Sequence, residues 1–231
     1  MRARCEGVCF DLWNTLAATV HEPHPLDALA DAFGLLGDPA WRRILEEAIM
    51  TRPLPGIGAA LDELQRATGR APSGRWSRRD LILMWGAACN DNRLYPDVLV
   101  SLKRIARLGC RIGVVSNTQS FDLDFLRRDG LAAIVDDLCL SCDCGLLKPD
   151  PAIFTLAAGR LGLEPAHILM IGDRLEHDVH PAREAGMSAA RLDRRPGPWD
   201  PAPAGEGFVV HDLTELADRL ERGEPFIVSS C

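Results

Sequence analysis

The chain has 231 residues, 47% of them apolar and 26% charged, and a formal net charge of -7. That length carries one domain with a large insertion, or two modest domains sharing a core, and the composition excludes wholesale disorder. The acidic balance excludes a nucleic-acid surface, which needs a basic face, and points instead to a small-molecule partner.

The amino terminus, MRARCEGVCFDLW, is charged and has no apolar run of signal-peptide length. No other window is long and apolar enough to cross a bilayer, so no membrane partner and a cytoplasmic location are expected. There the eight cysteines would be reduced thiols rather than a disulfide framework. The run CLSCDC, Cys139 to Cys144, raises zinc but lacks a second pair at ligand spacing.

In chain order, GVCF reads as a short apolar strand that ends on Asp11. Residues 17–95 carry helical periodicity in LDALADAFGLL, AWRRILEEAIM, GAALDELQRATG and WSRRDLILMWGAAC, with no strand signal. They read as a helical insertion between the first strand and its sequel, with Trp41, Trp76 and Trp85 in its core. From residue 96 helix and strand alternate, which argues a parallel sheet covered by helices.

PDVLVSLKRIARLG is a helix closed by Gly109, and CRIGVVSN a strand ending at Ser116. FDLDFLRRDG reads as a helix stopped by Gly130, and AAIVDDLCLS as a weaker strand. DPAIFTLAAGRLG, with Pro151 in its first turn, is a helix that feeds the apolar strand HILMIGD, ending at Asp173. LEHDVHPAREAG reads as the next helix, MSAARLD as a strand, and GFVVHDLTELADRL as a last strand and helix. RRPGPWDPAPAGEG, Arg194 to Gly207, reads as an exposed loop.

Asp11, Ser116, Lys148 and the pair Asp173 and Asp178 thus fall at strand or loop ends, which in a parallel sheet converge on one crevice. Three carboxylates packed together repel and drive a pKa up unless a cation sits among them. A hard divalent ion with oxygen ligands, magnesium foremost, meets that need. Lys103 and Lys148 are the two lysines among 26 basic residues. In so arginine-rich a chain, Lys148 marks a place where a compact ammonium is required.

With these segments in order, FDLWNTL, VVSNT, GLLKPDPAIF and IGDRLEHDVHPAREAGM, the chain resembles the haloacid dehalogenase superfamily. The resemblance implies an α/β fold, a Rossmann-like parallel sheet core of residues 1–16 and 96–231, with a helical cap domain inserted as residues 17–95. It implies a hydrolase, with Asp11 as the nucleophile that forms an aspartyl intermediate. The backbone carbonyl of Trp13 and the carboxylates of Asp11, Asp173 and Asp178 would hold magnesium. Ser116 would bind the transferred group, and Lys148 would neutralise the charge of nucleophile and substrate.

Phosphatases of that family usually carry a second aspartate two residues after the nucleophile, and here Trp13 stands in its place. An indole N–H only donates, so the usual general acid is missing. Three accounts are open: a phosphatase with a good leaving group or an acid from elsewhere, a 2-haloacid dehalogenase, or a weak or inactive binder of phosphate esters. The acidic pair Asp173 and Asp178 favours magnesium-dependent phosphatase chemistry on a small phosphorylated substrate. Mutases, which rely on the missing acid, and Schiff-base phosphonate cleavage, which needs a cap lysine absent from residues 17–95, fit less well.

Position in the chain marks further candidates. His21 and His24 lie beside Pro23 and Pro25 where the insertion begins and could supply the missing acid. Arg42, Arg43 or Arg52 could hold a substrate carboxylate. Asn117 and Thr118 bind substrate or cap the segment that comes after them. Asp178 alternatively serves only its helix dipole. His177 and His180, three apart, read as solvated groups rather than a metal pair. Trp13 either fills the space of the lost acid or forms a floor for an apolar substrate, and Asn14 stands where glycine is frequent.

Overall fold

A computed structural model describes residues 5–195 and 208–224. Strand β1 (Gly7–Phe10) leads into a tight turn and a short strand β2 (Ala17–Thr19). Four helices come next: α1 (Pro25–Ala32), α2 (Trp41–Ile49), α3 (Ile57–Thr68) and α4 (Arg78–Asn90). Strand β3 (Asn92–Leu94) then pairs antiparallel with β2, Ala17 opposite Leu94. This corrects the expectation of an insertion without strands. The ribbon is three residues long on each side, too short to leave an alternating pattern.

The second part runs α5 (Val98–Arg107), β4 (Arg111–Ser116), α6 (Phe125–Arg128), β5 (Asp137–Leu140), α7 (Ser141–Cys144), α8 (Pro151–Leu161) and β6 (Ile168–Gly172). It ends with α9 (His180–Glu184), β7 (Ser188–Leu192), β8 (Phe208–Val210) and α10 (Leu213–Glu221). The main sheet has the order β5-β4-β1-β6-β7-β8, and every neighbouring pair is parallel. This is the α/β architecture expected from the alternation after residue 96. Because β1 is central, chain connections leave it toward both edges, and the gap at its carboxyl end is the topological switch point.

Both faces of the sheet are covered, so its central strands β1 and β6 are apolar throughout rather than alternating. Val8 and Phe10 of β1 join Leu102 and Ile105 of α5 and Leu216 of α10 on one face. Cys9, pointing the other way, joins Ile153, Phe154 and Ala157 of α8 on the opposite face. A separate cluster belongs to α1–α4, where Leu29, Phe33, Leu45, Ile49, Leu61, Leu64, Leu81 and Trp85 are buried, with Trp41 and Trp76 packed against them.

Two readings of local structure are corrected. The helix expected over FDLDFLRRDG shrinks to the single turn α6, because Asp122 adopts a left-handed φ of 62°. Asp122 also accepts the Trp85 indole N–H at 2.9 Å, while Phe121 packs on the Trp85 ring. Tertiary contacts outweigh helical periodicity there. The helix expected over LEHDVHPAREAG begins as a π-turn, Leu175–Val179, before α9. Residues 196–207 of the expected loop lie outside the described residues. Arg194, which opens it, is mostly buried, donating to Thr15 O at 3.0 Å and pairing with Asp97 at 3.1 Å.

Candidate active site

Phe10 is level with Val114 of β4 and Ile171 of β6, and the Asp11 N–H donates to Ile171 O at 2.9 Å. Asp11 is therefore the first residue past the central strand, beside the ends of β4 and β6. The chain turns sharply there: Ala17 N–H returns to Leu12 O at 2.8 Å, and Asn14 takes a φ of 61°. Asparagine is among the few non-glycine residues that tolerate this region.

The Lys148 ammonium donates to Asp11 Oδ1 and to Asp178 Oδ1, both at 2.6 Å, and all three groups are buried. Thr15 Oγ1 donates to the other Asp11 oxygen at 3.3 Å, and the Arg174 N–H to Asp178 Oδ2 at 3.0 Å. Asp178 thus does more than serve a helix dipole. The π-turn supplies the extra residue that carries its carboxylate back over Gly172, a placement typical of π-bulges at functional sites. A β-carbon at Gly172 would lie 2.4 Å from Asp178 Cβ and Cγ. Gly172→Ala is accordingly expected to cost about 1–3 kcal/mol, read by denaturant unfolding.

Asp11, Asp173 and Asp178 can each bring an oxygen within 4.8 Å of the others, and among the described residues they form the one such cluster of three. All donors are hard carboxylate oxygens. Oxygens held no more than 4.8 Å apart can converge on one ion, so the set suits a small hard cation. Burial pushes the Asp11 carboxyl up to about 7, with Asp178 and Asp173 acting in the same direction and Lys148 against them. Burial and then Asp178 raise Asp173 to about 6. Burial would lower Lys148, but the two carboxylates more than reverse this and hold it charged.

These groups line a cavity of about 120 Å³ together with Trp13, Asn14, His24, Leu26, Arg42, Glu46, Met50, Asn117, Arg174 and His177. At ~10–15 Å³ per water, that is room for a phosphate-sized group and a short appendage. The Trp13 indole N–H donates to Thr118 Oγ1 at 3.1 Å, and its ring packs on Phe125 with centroids 5.7 Å apart. Ser116 does not line the cavity. It is fully buried, and its Oγ has no hydrogen-bond partner among the described residues.

Asn117 caps no helix, since none begins directly after it. Its amide nitrogen donates to Glu46 Oε2 at 3.0 Å and Lys148 O at 2.9 Å, and its oxygen accepts the Lys148 N–H at 2.8 Å. His24 reaches the cavity, while its Nδ1 accepts the Leu26 N–H at 3.3 Å at the start of α1. His21 instead meets Asp91 at 2.9 Å and lines no part of the cavity. Of the three arginines, Arg42 lines it, Arg43 pairs with Glu47 at 2.7 Å, and Arg52 pairs with Glu63. His180 is half-buried beside Glu176, 3.6 Å away, whereas His177 lines the cavity.

Glu46, Arg174 and Met50 are cavity residues that the sequence pattern did not single out. A signal was present for α2: Arg42, Glu46 and Met50 lie at i, i+4 and i+8, one stripe along a helix face, flanking the apolar stripe of Leu45, Ala48 and Ile49.

Residues 5–186 match the sequence model of the haloacid dehalogenase-like hydrolases. A glyceraldehyde 3-phosphate phosphatase of Methanopyrus kandleri is 35% identical over 101 residues, 43% of each chain. The chain spans about half the length of the first curated relatives it matches. (S)-2-haloacid dehalogenase 1 of a Pseudomonas species is 25% identical over 92% of this chain and 95% of its own. In fold, the crystal structure of a HAD phosphatase from Thermococcus onnurineus superposes with a TM-score of 0.61 at 24% identity, covering 96% of this chain and all of that one.

Proposed function

The chain belongs to the haloacid dehalogenase-like hydrolases, and we propose that within them it is a magnesium-dependent phosphatase acting on a small phosphorylated metabolite through an aspartyl-phosphate on Asp11. The observation that carries this reading is the buried cluster in which Lys148 grips Asp11 and Asp178 at 2.6 Å, with Asp173 near enough to complete a cation site. Carboxylates gathered in this way serve phosphoryl transfer and have no evident use in displacing a halide.

Asp11 attacks phosphorus, and Lys148 offsets the negative charge that would otherwise repel a phosphate ester from a carboxylate. Ser116 would bind the transferred group, whereas the Asn117 side chain, already bonded to Glu46 and the Lys148 backbone, holds the Lys148 loop in place. The buried Ser116 hydroxyl, unpartnered among the described residues at a cost of about 1–3 kcal/mol, supports this role, and a phosphoryl oxygen would recover that cost once the wall beside Asn117 opens to it. Trp13 offers its ring to the organic part of the substrate, since its N–H is committed to Thr118. Magnesium would be held by Asp11, Asp173, Asp178 and the Trp13 carbonyl, and when bound it supplies charge neutralisation at the phosphoryl oxygens. Residues 17–95 act as a helical cap that closes over the cavity and excludes water, with the β2–β3 ribbon at its base.

A second reading, 2-haloacid dehalogenase, draws on Trp13 in place of an acid and on the relative of that activity. Phosphate release from a panel of alkyl, aryl and acyl phosphates, with magnesium and with chelator, separates the two. Metal-dependent release supports the phosphatase. Halide release from a short 2-haloacid, undiminished by chelator, overturns it.

The cation site also predicts a pH-dependent stabilisation. Asp11 and Asp173 are raised above their unfolded value near 3.8, to about 7 and about 6, so protons occupy them at pH 5 and leave by pH 8. Magnesium at 100 times its Kd contributes about 2.7 kcal/mol, or ~5–10 °C in Tm, at pH 8. At pH 5, where it competes with protons, little shift is expected. Equal shifts at both pH values would sink the assignment of the ion to these carboxylates.

A further inference from the structure

With Trp13 where an acid is expected and its N–H held by Thr118, the oxygen leaving with the substrate's alcohol needs another proton source. Beside the Asp11, Asp173, Asp178 and Lys148 cluster, the cavity wall holds three titratable groups: His24, His177 and Glu46. His24 spends Nδ1 on the Leu26 N–H, and burial lowers its affinity for a second proton. Glu46 differs from both histidines in its anchoring. It is 8% exposed, one of its oxygens accepts Asn117 Nδ2 at 3.0 Å, and Asn117 is in turn tied twice to the Lys148 backbone. The residue is thereby pinned to the loop whose ammonium grips Asp11. Its Oε1 makes no hydrogen bond among the described residues.

We propose that Glu46, presented by α2 on the cavity stripe it shares with Arg42 and Met50, is the general acid–base of this site, a role that rests on the phosphatase reading above. In the first step Asp11 bonds to phosphorus and the bond from phosphorus to the ester oxygen breaks. Its electron pair goes to that oxygen, which takes the Glu46 proton and leaves as the alcohol. In the second step water bonds to phosphorus and the Asp11–phosphorus bond breaks. The water's proton passes to the Glu46 carboxylate, so inorganic phosphate departs and both carboxyl groups are restored. Burial favours the protonated form of Glu46 at the outset. The groups acting against it are the Asn117 amide, Arg42 from its own helix, Arg174 from the turn after β6, and Lys148. The carboxylates of Asp11, Asp173 and Asp178 and the imidazoles of His24 and His177 share the same cavity.

The test compares wild type, Glu46→Gln and Glu46→Asp on glycerol phosphate, a poor leaving group, and on p-nitrophenyl phosphate, a good one. Glutamine keeps the acceptor for Asn117, and the melting curve of each variant reports whether it folds. Glu46→Gln should lose about 10²–10⁴ in kcat on glycerol phosphate. On p-nitrophenyl phosphate it should give a stoichiometric burst of nitrophenolate, then slow turnover, with covalent phosphate on the protein seen by intact mass. Glu46→Asp, which keeps a carboxyl one methylene short, should fall between. Equal losses on both substrates without a burst, or no loss, overturn the role of Glu46 and leave the phosphatase reading standing. No phosphate release by wild type from either ester overturns both.

Discussion

Asp11→Asn is expected to lower phosphate release by about four orders of magnitude or more at saturating magnesium, the scale on which losing a covalent nucleophile is felt. The change is nearly isosteric, and an amide cannot form the acyl phosphate. Folding should survive it. Lys148 keeps Asp178 at 2.6 Å, and one like charge leaves a group of three carboxylates, of which Asp11 and Asp178 are buried. Because burial already drives Asp11 toward its protonated form, the variant should melt at or above the wild-type temperature at pH 8. Steady-state phosphate release and a melting curve decide it. Activity retained within tenfold would remove Asp11 from the nucleophile's role, and a collapsed melting transition would show the carboxylate to be structural.

Lys148→Ala should be damaging in both respects. Its ammonium is 5% exposed and answers two carboxylates, so its removal leaves buried charge without a counter-ion, at a cost of about 3–5 kcal/mol. The loss has a pH signature. Asp11 and Asp173 already titrate above their unfolded values, at about 7 and about 6. Groups raised in this way contribute stability that is complete below about pH 4 and is lost as pH rises through the folded value. The variant should therefore be least stable at pH 8 and should recover as the pH is lowered toward 5, a trend readable from urea midpoints at several pH values. Lys148→Arg keeps the charge but places a planar fork in the space of a compact ammonium, so it should recover stability better than activity. A Lys148→Ala protein equally stable at pH 8 and pH 5 would rule out this account of the cluster.

The polar strand ends were legible in the sequence because a parallel sheet obeys a simple rule. Apolar β-branched runs make strands, and the residue after each run sits at the crevice. Asp11 and Asp173 needed nothing more, and Lys148 stood out because the chain otherwise uses arginine almost everywhere. Other readings stay open in the sequence for a shared reason: their outcome depends on partners distant in sequence. His21 and His24 looked equivalent beside their prolines, yet Asp91, 70 residues on, takes His21, while His24 opens α1 and lines the cavity. Arg42 and Arg43 are adjacent, and helix geometry turns one into the cavity while the other pairs with Glu47. Asn117 reads as either a substrate ligand or a cap, and Asp122 breaks the helix it would have capped.

The amino-acid sequence alone determined the α/β class, the helices within residues 17–95 and the identity of the polar groups at the strand ends, because each depends on periodicity and local turn chemistry. Only the tertiary structure decided which side chains meet. The π-turn swings Asp178 over Gly172 and into reach of Lys148. The 2.6 Å grip of Lys148 on Asp11 and Asp178, and the placing of Glu46 against Asn117, join residues 30 to 137 positions apart. Such contacts are set by how whole helices and strands pack, and no local pattern encodes the distance between two groups that only packing brings together.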